Sequence, residues 1–162
     1  MRHRLSAIAC LLVPIACYPF ESNGIFSGMS DEQALRVLRA RSSRVVPLQN
    51  RSGEGETYIA SGPGSASEAL SICRGKVSAY QYDVSGGLAS FVRMVERETT
   101  ASGAGASEVF SRETSAGEWS SLKFRWSGNT EVKELGVSVV AGGKEQVYVR
   151  YEVSDSACSA GT

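Results

Sequence analysis

The chain has 162 residues, with 17 basic side chains, 17 acidic side chains and a single histidine. This balance gives no basic surface of the kind that binds nucleic acid or an anionic membrane, so no nucleic-acid partner and no electrostatic attraction to a membrane are predicted. The length suits one domain with a proper core and is too short for two.

The first seventeen residues have the layout of an export signal. Arg2 and Arg4 precede an apolar run that ends in Ala16-Cys17, and the run is shorter than the roughly twenty residues that a membrane-spanning helix needs. We therefore predict a signal peptide over residues 1–16. Its removal takes away His3, the only histidine, and leaves fifteen basic against seventeen acidic side chains.

The end of this signal resembles the lipobox of bacterial lipoproteins, whose cysteine is lipidated and becomes the mature N-terminus. Ile15, Ala16 and Cys17 match that pattern, whereas Pro14 stands where the family prefers an aliphatic residue. The resemblance implies lipidation of Cys17 and, because Tyr18 rather than an acidic residue follows, a periplasmic protein anchored to the outer membrane. The alternative is an ordinary secretory signal that is cleaved near Ala16 and releases a secreted protein.

The four cysteines divide between the signal and the domain. Cys10 leaves with the signal and Cys17 is the lipid acceptor, so Cys73 and Cys158 remain. In an oxidising periplasm these two are predicted to form a disulfide; the alternative is a pair of free buried thiols. The cysteines show no close spacing of the CxxC kind, and neither a metal site nor a cofactor is predicted.

The first half of the mature chain is predicted to begin with a tether over residues 17–29, which lack periodicity. Ser30-Asp-Glu-Gln33 is a capping box that starts a short amphipathic helix, with Ala34, Leu35 and Leu38 on its apolar face. A polar loop follows, interrupted by a short strand at Val45-Val46. Residues 56–60 are predicted to form the next strand.

The middle of the chain is less clearly patterned. Ser65-Ala-Ser-Glu68 resembles a second capping box, which predicts a helix through Ala69, Leu70 and Cys73 that Gly75 ends or weakens. Residues 77–84 fit either the continuation of this helix or a strand. Residues 88–98 fit either a helix or a buried strand, with a slight preference for the strand.

The last third of the chain alternates apolar and polar residues, which predicts strands and turns. One strand is predicted around Val109-Phe110 and a half-buried one at Leu122, Phe124 and Trp126. The final hairpin turns at Gly142-Gly143. Its apolar face carries Leu135, Val137, Val139, Val147, Val149, Tyr151 and Val153.

These elements predict an α+β fold in which an antiparallel sheet of four to five strands packs against one or two short helices. The domain covers residues 30–158, and residues 159–162 form a C-terminal tail. The pattern resembles small bacterial envelope lipoproteins, namely the twenty-kilodalton outer-membrane lipoproteins and the N-terminal domain of flagellar assembly lipoproteins. The matching segments are Ser61-Gly-Pro-Gly-Ser65, Glu68-Ala69, Leu135-Gly136-Val137 and Val147-Tyr148-Val149.

Without histidine, the mature chain cannot form a Ser-His-Asp or Cys-His arrangement. Two carboxylate pairs, Glu96 with Glu98 and Glu54 with Glu56, have the residue types used in glycoside cleavage. Neighbouring arginines such as Arg93 make solvated faces the simpler interpretation, and no catalytic residue is predicted.

Trp119 and Tyr148 are the aromatic residues expected to face outward from the sheet, as candidate contacts for an envelope protein or a glycan. The sequence thus predicts an exported, lipid-anchored, non-catalytic envelope protein with a binding or scaffolding role. The alternatives are a soluble secreted inhibitor or ligand-binding protein and a carboxylate-dependent glycoside hydrolase.

Overall fold

Eight antiparallel strands form one sheet that carries two helices on one face. The computed structural model describes residues 19–48, 55–62, 67–114, 117–140 and 143–154. The helices are α1 (Asp31–Arg41) and α2 (Gly87–Ser102), and a two-stranded ribbon precedes α1. The strands are β1 (Glu21–Ser22), β2 (Ile25–Phe26), β3 (Arg44–Leu48), β4 (Gly55–Ser61), β5 (Ser67–Cys73), β6 (Lys76–Val84), β7 (Ala106–Thr114), β8 (Gly117–Ser127), β9 (Glu131–Val140) and β10 (Lys144–Val153).

The sheet consists of two halves with the same order of elements. In each half one helix leads into a four-stranded meander: α1 precedes β3 to β6, and α2 precedes β7 to β10. The two meanders join through antiparallel pairing of β6 with β10, which gives the order β3-β4-β5-β6-β10-β9-β8-β7. The α+β class is therefore confirmed, but the prediction of four to five strands was too low. The first strand of each meander becomes an edge of the sheet.

Helix α1 begins where the capping box predicted. Ser30 is the N-cap, and its Oγ accepts a hydrogen bond from the Gln33 N–H at 3.4 Å. Ala34 and Leu38 are completely buried, so the predicted apolar face is the one that packs on the sheet. The short strand predicted at Val45-Val46 is confirmed as part of β3.

The helix predicted from residue 65 onward is wrong, because residues 67–73 form strand β5. Leu70 and Ile72 are buried on the helix side, while Ala69 and Ser71 occupy the other face, so the period of this segment is two. Arg74 and Gly75, at φ +51° and +71°, form the tight turn into β6. The glycine expected to weaken a helix is thus a turn residue, and the strand alternative for residues 77–84 is correct.

The slight preference for a strand over residues 88–98 was also wrong, since Gly87–Ser102 is helix α2. Phe91 is buried against the sheet, but no side chain caps the helix N-terminus locally. Instead Glu145 of β10 accepts the Leu88 N–H at 2.8 Å, and the Trp126 indole N–H donates to the Gly103 carbonyl at 2.9 Å. Both ends of α2 are therefore held by side chains from distant strands.

Residues 19–29 were predicted to be a tether, but they belong to the domain. Phe20, Ile25 and Met29 are buried in the same core as α1 and β5. The Phe20 ring stacks on Tyr151 of β10, with 5.5 Å between centroids. The segment lacks periodicity because a two-stranded ribbon with glycine turns, rather than a helix or a long strand, carries these side chains into the core.

The alternation predicted for β8, β9 and β10 is confirmed. Leu135, Val137, Val147 and Val149 are buried on the helix side, against Phe91 of α2. Their neighbours in sequence point to the opposite face, on which no helix of the described part of the chain packs. We call this opposite side of the eight-stranded sheet the outer face.

Phe20→Ala should lower the free energy of unfolding by about 3–5 kcal/mol, because it empties a fully packed aromatic site. Leu48→Ala is the matched control: Leu48 is 53% exposed on β3, and its loss should change stability by about 0.5 kcal/mol or less. Urea unfolding followed by tryptophan fluorescence measures both. Equal stability of the two variants would mean that residues 19–29 are a tether after all.

Candidate functional site

The two aromatic residues predicted to contact a partner both lie on the outer face, but they do not touch each other. Trp119 is on β8 and Tyr148 is on β10, and β9 runs between these strands. Both side chains are half-buried. The outer face is therefore the region from which a candidate site must be built, and its two aromatic positions have different surroundings.

Tyr148 lies flat on the sheet. It is paired across the strands with Gly136, where an added Cβ would overlap the tyrosine ring. The Tyr148 hydroxyl donates to Glu134 Oε1 at 2.9 Å. Burial, together with the nearby Glu134 charge and this hydrogen bond, raises the Tyr148 pKa above its ordinary value of 10. Tyr148 is thus an ordered part of the sheet surface rather than a projecting anchor.

Trp119 belongs to a cluster at the margin of the outer face. It packs edge-on against Phe110, with 5.5 Å between ring centroids and an angle of 62°. The Arg112 guanidinium carbon lies 5.4 Å from the centre of the Trp119 ring, in cation–π geometry. Phe110 is 41% exposed although it is aromatic. We call Phe110, Arg112 and Trp119 the edge cluster, because β7 is an edge strand of the sheet.

The outer face between the edge cluster and Tyr148 is lined by small residues. Ser121 and Ser138 are directly opposite each other on β8 and β9 and are only 4% and 7% exposed. The Ser121 hydroxyl is buried and makes no hydrogen bond within the described residues. Phe110 stands opposite Ser121 and packs against Trp119 beside Arg112, and aromatic residues and arginine are enriched at surfaces that bind partners.

The helix side carries two ion-pair networks at corresponding positions of the two halves. In the first half, Arg41 of α1 pairs with Glu68 of β5 at 2.5 Å, and Glu68 also accepts from the Tyr80 hydroxyl at 2.5 Å. In the second half, Glu98 of α2 pairs with Lys133 of β9. Glu68 and Lys133 each stand opposite a tyrosine of a central strand, Tyr82 and Tyr151 respectively. These networks fasten each helix to its own meander.

Tyr80 and Tyr151 are directly paired across the central β6–β10 junction. Burial, followed by interaction with Tyr82, raises the Tyr151 pKa to about 12. Burial and the hydrogen bond to Glu68 raise the Tyr80 pKa as well. The Tyr80 hydroxyl donates to Glu68 and accepts from Arg41 and Asn23.

Of the two carboxylate pairs named from the sequence, Glu96 with Glu98 does not form as expected. Glu96 and Glu98 were placed on one face of a strand, but they lie in helix α2, where residues two apart do not face each other. Glu98 has Lys133 as its partner and Glu131 as a nearby like charge. Glu56 accepts a hydrogen bond from Tyr58, and Glu54 lies outside the described residues.

Glu98 and Glu131 have opposite pKa shifts around the same lysine. Burial alone disfavours the Glu98 carboxylate, but hydrogen bonds from Lys133 and Ser102 and the Lys133 charge outweigh it and lower the Glu98 pKa. Burial raises the pKa of Glu131, with the Glu98 charge adding to the effect. The Glu131 Oε2 atom is buried without a hydrogen bond among the described residues. The interactions with Lys133 and Ser102 therefore outweigh burial at Glu98, but at Glu131 the Lys133 charge only partly offsets burial and the Glu98 charge.

Cys73 lies at the end of β5, beside a cavity of about 330 Å³. Pro19, Arg74, Lys76 and Val153 also line this cavity. Cys73 is buried and disulfide-bonded. The predicted partner Cys158 and the predicted lipid acceptor Cys17 lie outside the described residues, so their roles stay predictions.

Comparisons with protein-family models, characterised proteins and solved structures give no match for this chain. The resemblance to small envelope lipoproteins therefore stays a prediction, and the helix that it implies at Glu68-Ala69 is contradicted by strand β5. Within the described ranges, no helix is long and apolar enough to cross a membrane. Among those same residues, no group of three or more acidic, cysteine or histidine side chains is arranged to hold a metal ion.

Sequence reasoning did not single out Phe110 and Arg112 as members of the candidate site. Their spacing of two residues on a predicted strand would have placed them on one face. What the sequence does not give is the position of β7 at the edge of the sheet, and that position leaves Phe110 exposed next to Trp119.

Glu98→Gln and Glu131→Gln should change stability in opposite directions at pH 7. The lowered Glu98 pKa means that its ionised form stabilises the fold above the ordinary glutamate pKa, and that this is lost as the pH falls through the lowered value. The raised Glu131 pKa means that the protonated form of Glu131 stabilises the fold at acidic pH, and that this stabilisation is lost as the pH rises through the raised value. Allowing for solvent screening, we expect about 1 kcal/mol lost in Glu98→Gln and a gain in Glu131→Gln.

Urea unfolding of both variants at a series of pH values between 3 and 8 measures these effects. The difference in unfolding free energy between each variant and the parent protein should shrink at the acidic end of the series, where the parent carboxylates become protonated and neutral. Two variants that move stability in the same direction at pH 7 would contradict the assignment of the pair to Lys133.

Proposed function

We propose that this chain is an exported, lipid-anchored, non-catalytic envelope protein that binds another component through the outer face of its sheet. The observation that carries the proposal is the edge cluster. An exposed phenylalanine, a tryptophan and an arginine meet at the margin of a sheet face that no described helix covers. Tryptophan and arginine are the residue types that contribute most at binding interfaces.

The N-terminal end of the domain fits an anchor at Cys17. Phe20 is buried, so a lipid on Cys17 would be tied to the core by three residues, which span about 10 Å at most. Arg74 and Lys76 line the same cavity as Pro19 and are exposed, which puts two cations near a residue only two positions after Cys17 in the sequence. Cations at such a position favour anionic headgroups. Such an anchor would hold the domain directly on the membrane surface.

Lipidation also affects the choice of disulfide partner. A thioether to lipid consumes the Cys17 sulfur, so Cys17 would no longer be able to bond with Cys73. Cys158 follows Val153, which lines the same cavity as Cys73, by five residues, a reach of about 17 Å. A lipid on Cys17 and a Cys73–Cys158 bond are therefore mutually consistent parts of one proposal.

Metabolic labelling with a radioactive fatty acid should label the full chain in its envelope and should fail to label the Cys17→Ala variant. The companion measurement is alkylation of Cys73 without reductant, read by mass spectrometry. Cys158→Ala should expose the Cys73 thiol and Cys17→Ala should leave it protected. Two results together would remove the anchor from the proposal: no label on the parent chain, and a free Cys73 thiol in the Cys17→Ala variant. They would show that Cys17 forms a disulfide with Cys73.

Partner binding at the outer face can be tested with a photo-cross-linking phenylalanine derivative placed at Trp119 in the full chain, in its native envelope. We expect a discrete ultraviolet-dependent adduct. The matched control is the same derivative at Arg97, an exposed position on α2 at the other side of the sheet. Adducts from Arg97 alone, or from neither position, would contradict binding at the outer face.

A further inference from the structure

The two edges of the sheet differ in their ability to accept another strand. Strand β3 has five residues and includes Pro47, which has no backbone N–H to donate. Strand β7 has nine residues and no proline or glycine. An edge strand of this kind presents a row of backbone groups that can pair with a further strand. Within the part of the chain that the structure describes, edge pairing is therefore disfavoured at β3 and open at β7.

Strand β7 exposes apolar side chains on both faces. Val109 is 76% exposed on the helix side, and Phe110 is 41% exposed on the outer face. Charged residues, proline and bulges usually protect an edge strand from pairing with other chains. Strand β7 carries Glu108, Arg112 and Glu113, so a partner strand has to match these charges. Here the two neighbouring apolar side chains are at the middle of the strand, where a partner strand would cover both.

The sequence of β7 is complementary to itself in one antiparallel register. When two copies pair about a two-fold axis at Phe110, Glu108 of each copy stands opposite Arg112 of the other. The two Phe110 rings meet on the axis, and Val109 stands opposite Ser111. Opposite charges and aromatic pairs at directly facing positions stabilise antiparallel strands. Registers centred one residue away place no opposite charges face to face.

The cross-strand neighbours of Glu108 and Arg112 on the outer face also suit this register. Within one copy, Glu108 is opposite Lys123 and Arg112 is opposite Trp119. Arg112 has no acidic residue opposite it within its own sheet, and the second copy would supply one. The edge cluster of each copy would then lie across the two-fold axis from the other, with the Phe110 rings at its centre.

We propose that the partner at the β7 edge is a second copy of this chain, joined by antiparallel β7–β7 pairing about Phe110 into one continuous sheet. This inference rests on the binding role proposed above and names the partner. The interface is isologous, so it closes as a dimer and does not propagate.

Cysteine cross-linking of the full chain in its native envelope tests the register. Directly opposite residues in antiparallel strands have Cα atoms about 4.5–5.5 Å apart, within the range of a disulfide. Phe110→Cys should therefore give a disulfide-linked dimer on a non-reducing gel. Val109→Cys is the matched control, because its two copies would be about 8 Å apart, too far for a disulfide. The unmodified chain, which keeps its own cysteines, sets the background.

Since Phe110→Cys also removes the central aromatic pair, a second measurement keeps both rings. Chains with Val109→Cys and chains with Ser111→Cys, expressed together and differing in mass by a tag, should give a mixed disulfide dimer. Exchanging the charges of Glu108 and Arg112 in these two cysteine variants tests whether the pairing depends on this register. Glu108→Arg or Arg112→Glu alone places like charges opposite each other twice and should reduce cross-linking about tenfold. The double exchange restores the opposite charges and should recover it.

The readouts separate this inference from the proposed function. A cross-linked product at the mass of two chains, with recovery in the double exchange, supports the dimer. A disulfide or photo-adduct of any other mass would overturn the second copy as partner while leaving outer-face binding in place. Absence of both cysteine cross-links while Trp119 still gives its photo-adduct would also overturn the dimer. Loss of the Trp119 adduct as well would remove the proposed binding role itself.

Discussion

The antiparallel pairing of β6 with β10 is the interaction on which the rest of the structure depends. Each half of the chain is a helix followed by a meander. On its own, each meander would leave the outer edge of its last strand without a hydrogen-bonded neighbour. Pairing these two last strands gives each its second neighbour and brings Tyr80 opposite Tyr151 in the core. The same pairing fixes which strands are left at the edges. An open β7 margin is thus a consequence of the central junction.

The helices are fixed to the sheet by polar contacts as well as by apolar packing. Glu145 caps the start of α2 and Trp126 holds its end, while Lys133 binds Glu98 along its length. Arg41 plays the corresponding part for α1 through Glu68. Half-buried ion pairs and hydrogen bonds contribute modestly to stability but are costly to break on one side only. Apolar packing of Ala34, Leu38 and Phe91 places both described helices on one face, and the polar contacts add fixed attachment points for each helix on its meander.

The outer face of the sheet has two parts that differ in their surroundings. Its rigid part is the sheet itself, with Tyr148 held flat over Gly136. Its distinctive part is the margin, where Phe110 and Arg112 of the edge strand β7 meet Trp119 of β8. In the binding role proposed above, recognition at this strand edge would combine backbone hydrogen bonding with side-chain selectivity. The aromatic residue that the sequence marked, Trp119, is part of this margin; its neighbours became recognisable only once β7 was seen to be an edge.

The sequence by itself determined the elements whose signals are local. The Ser30 cap, the alternation of β8 to β10 and the final hairpin could all be predicted, because capping and period-two burial involve neighbouring residues. Only the tertiary structure decided that residues 67–73 are a strand and 87–102 a helix, since Glu68 and the ends of α2 find their partners on distant elements. Tertiary structure also decided that β7 is an edge, because strand order depends on which meanders join, a choice made by contacts far apart in the chain.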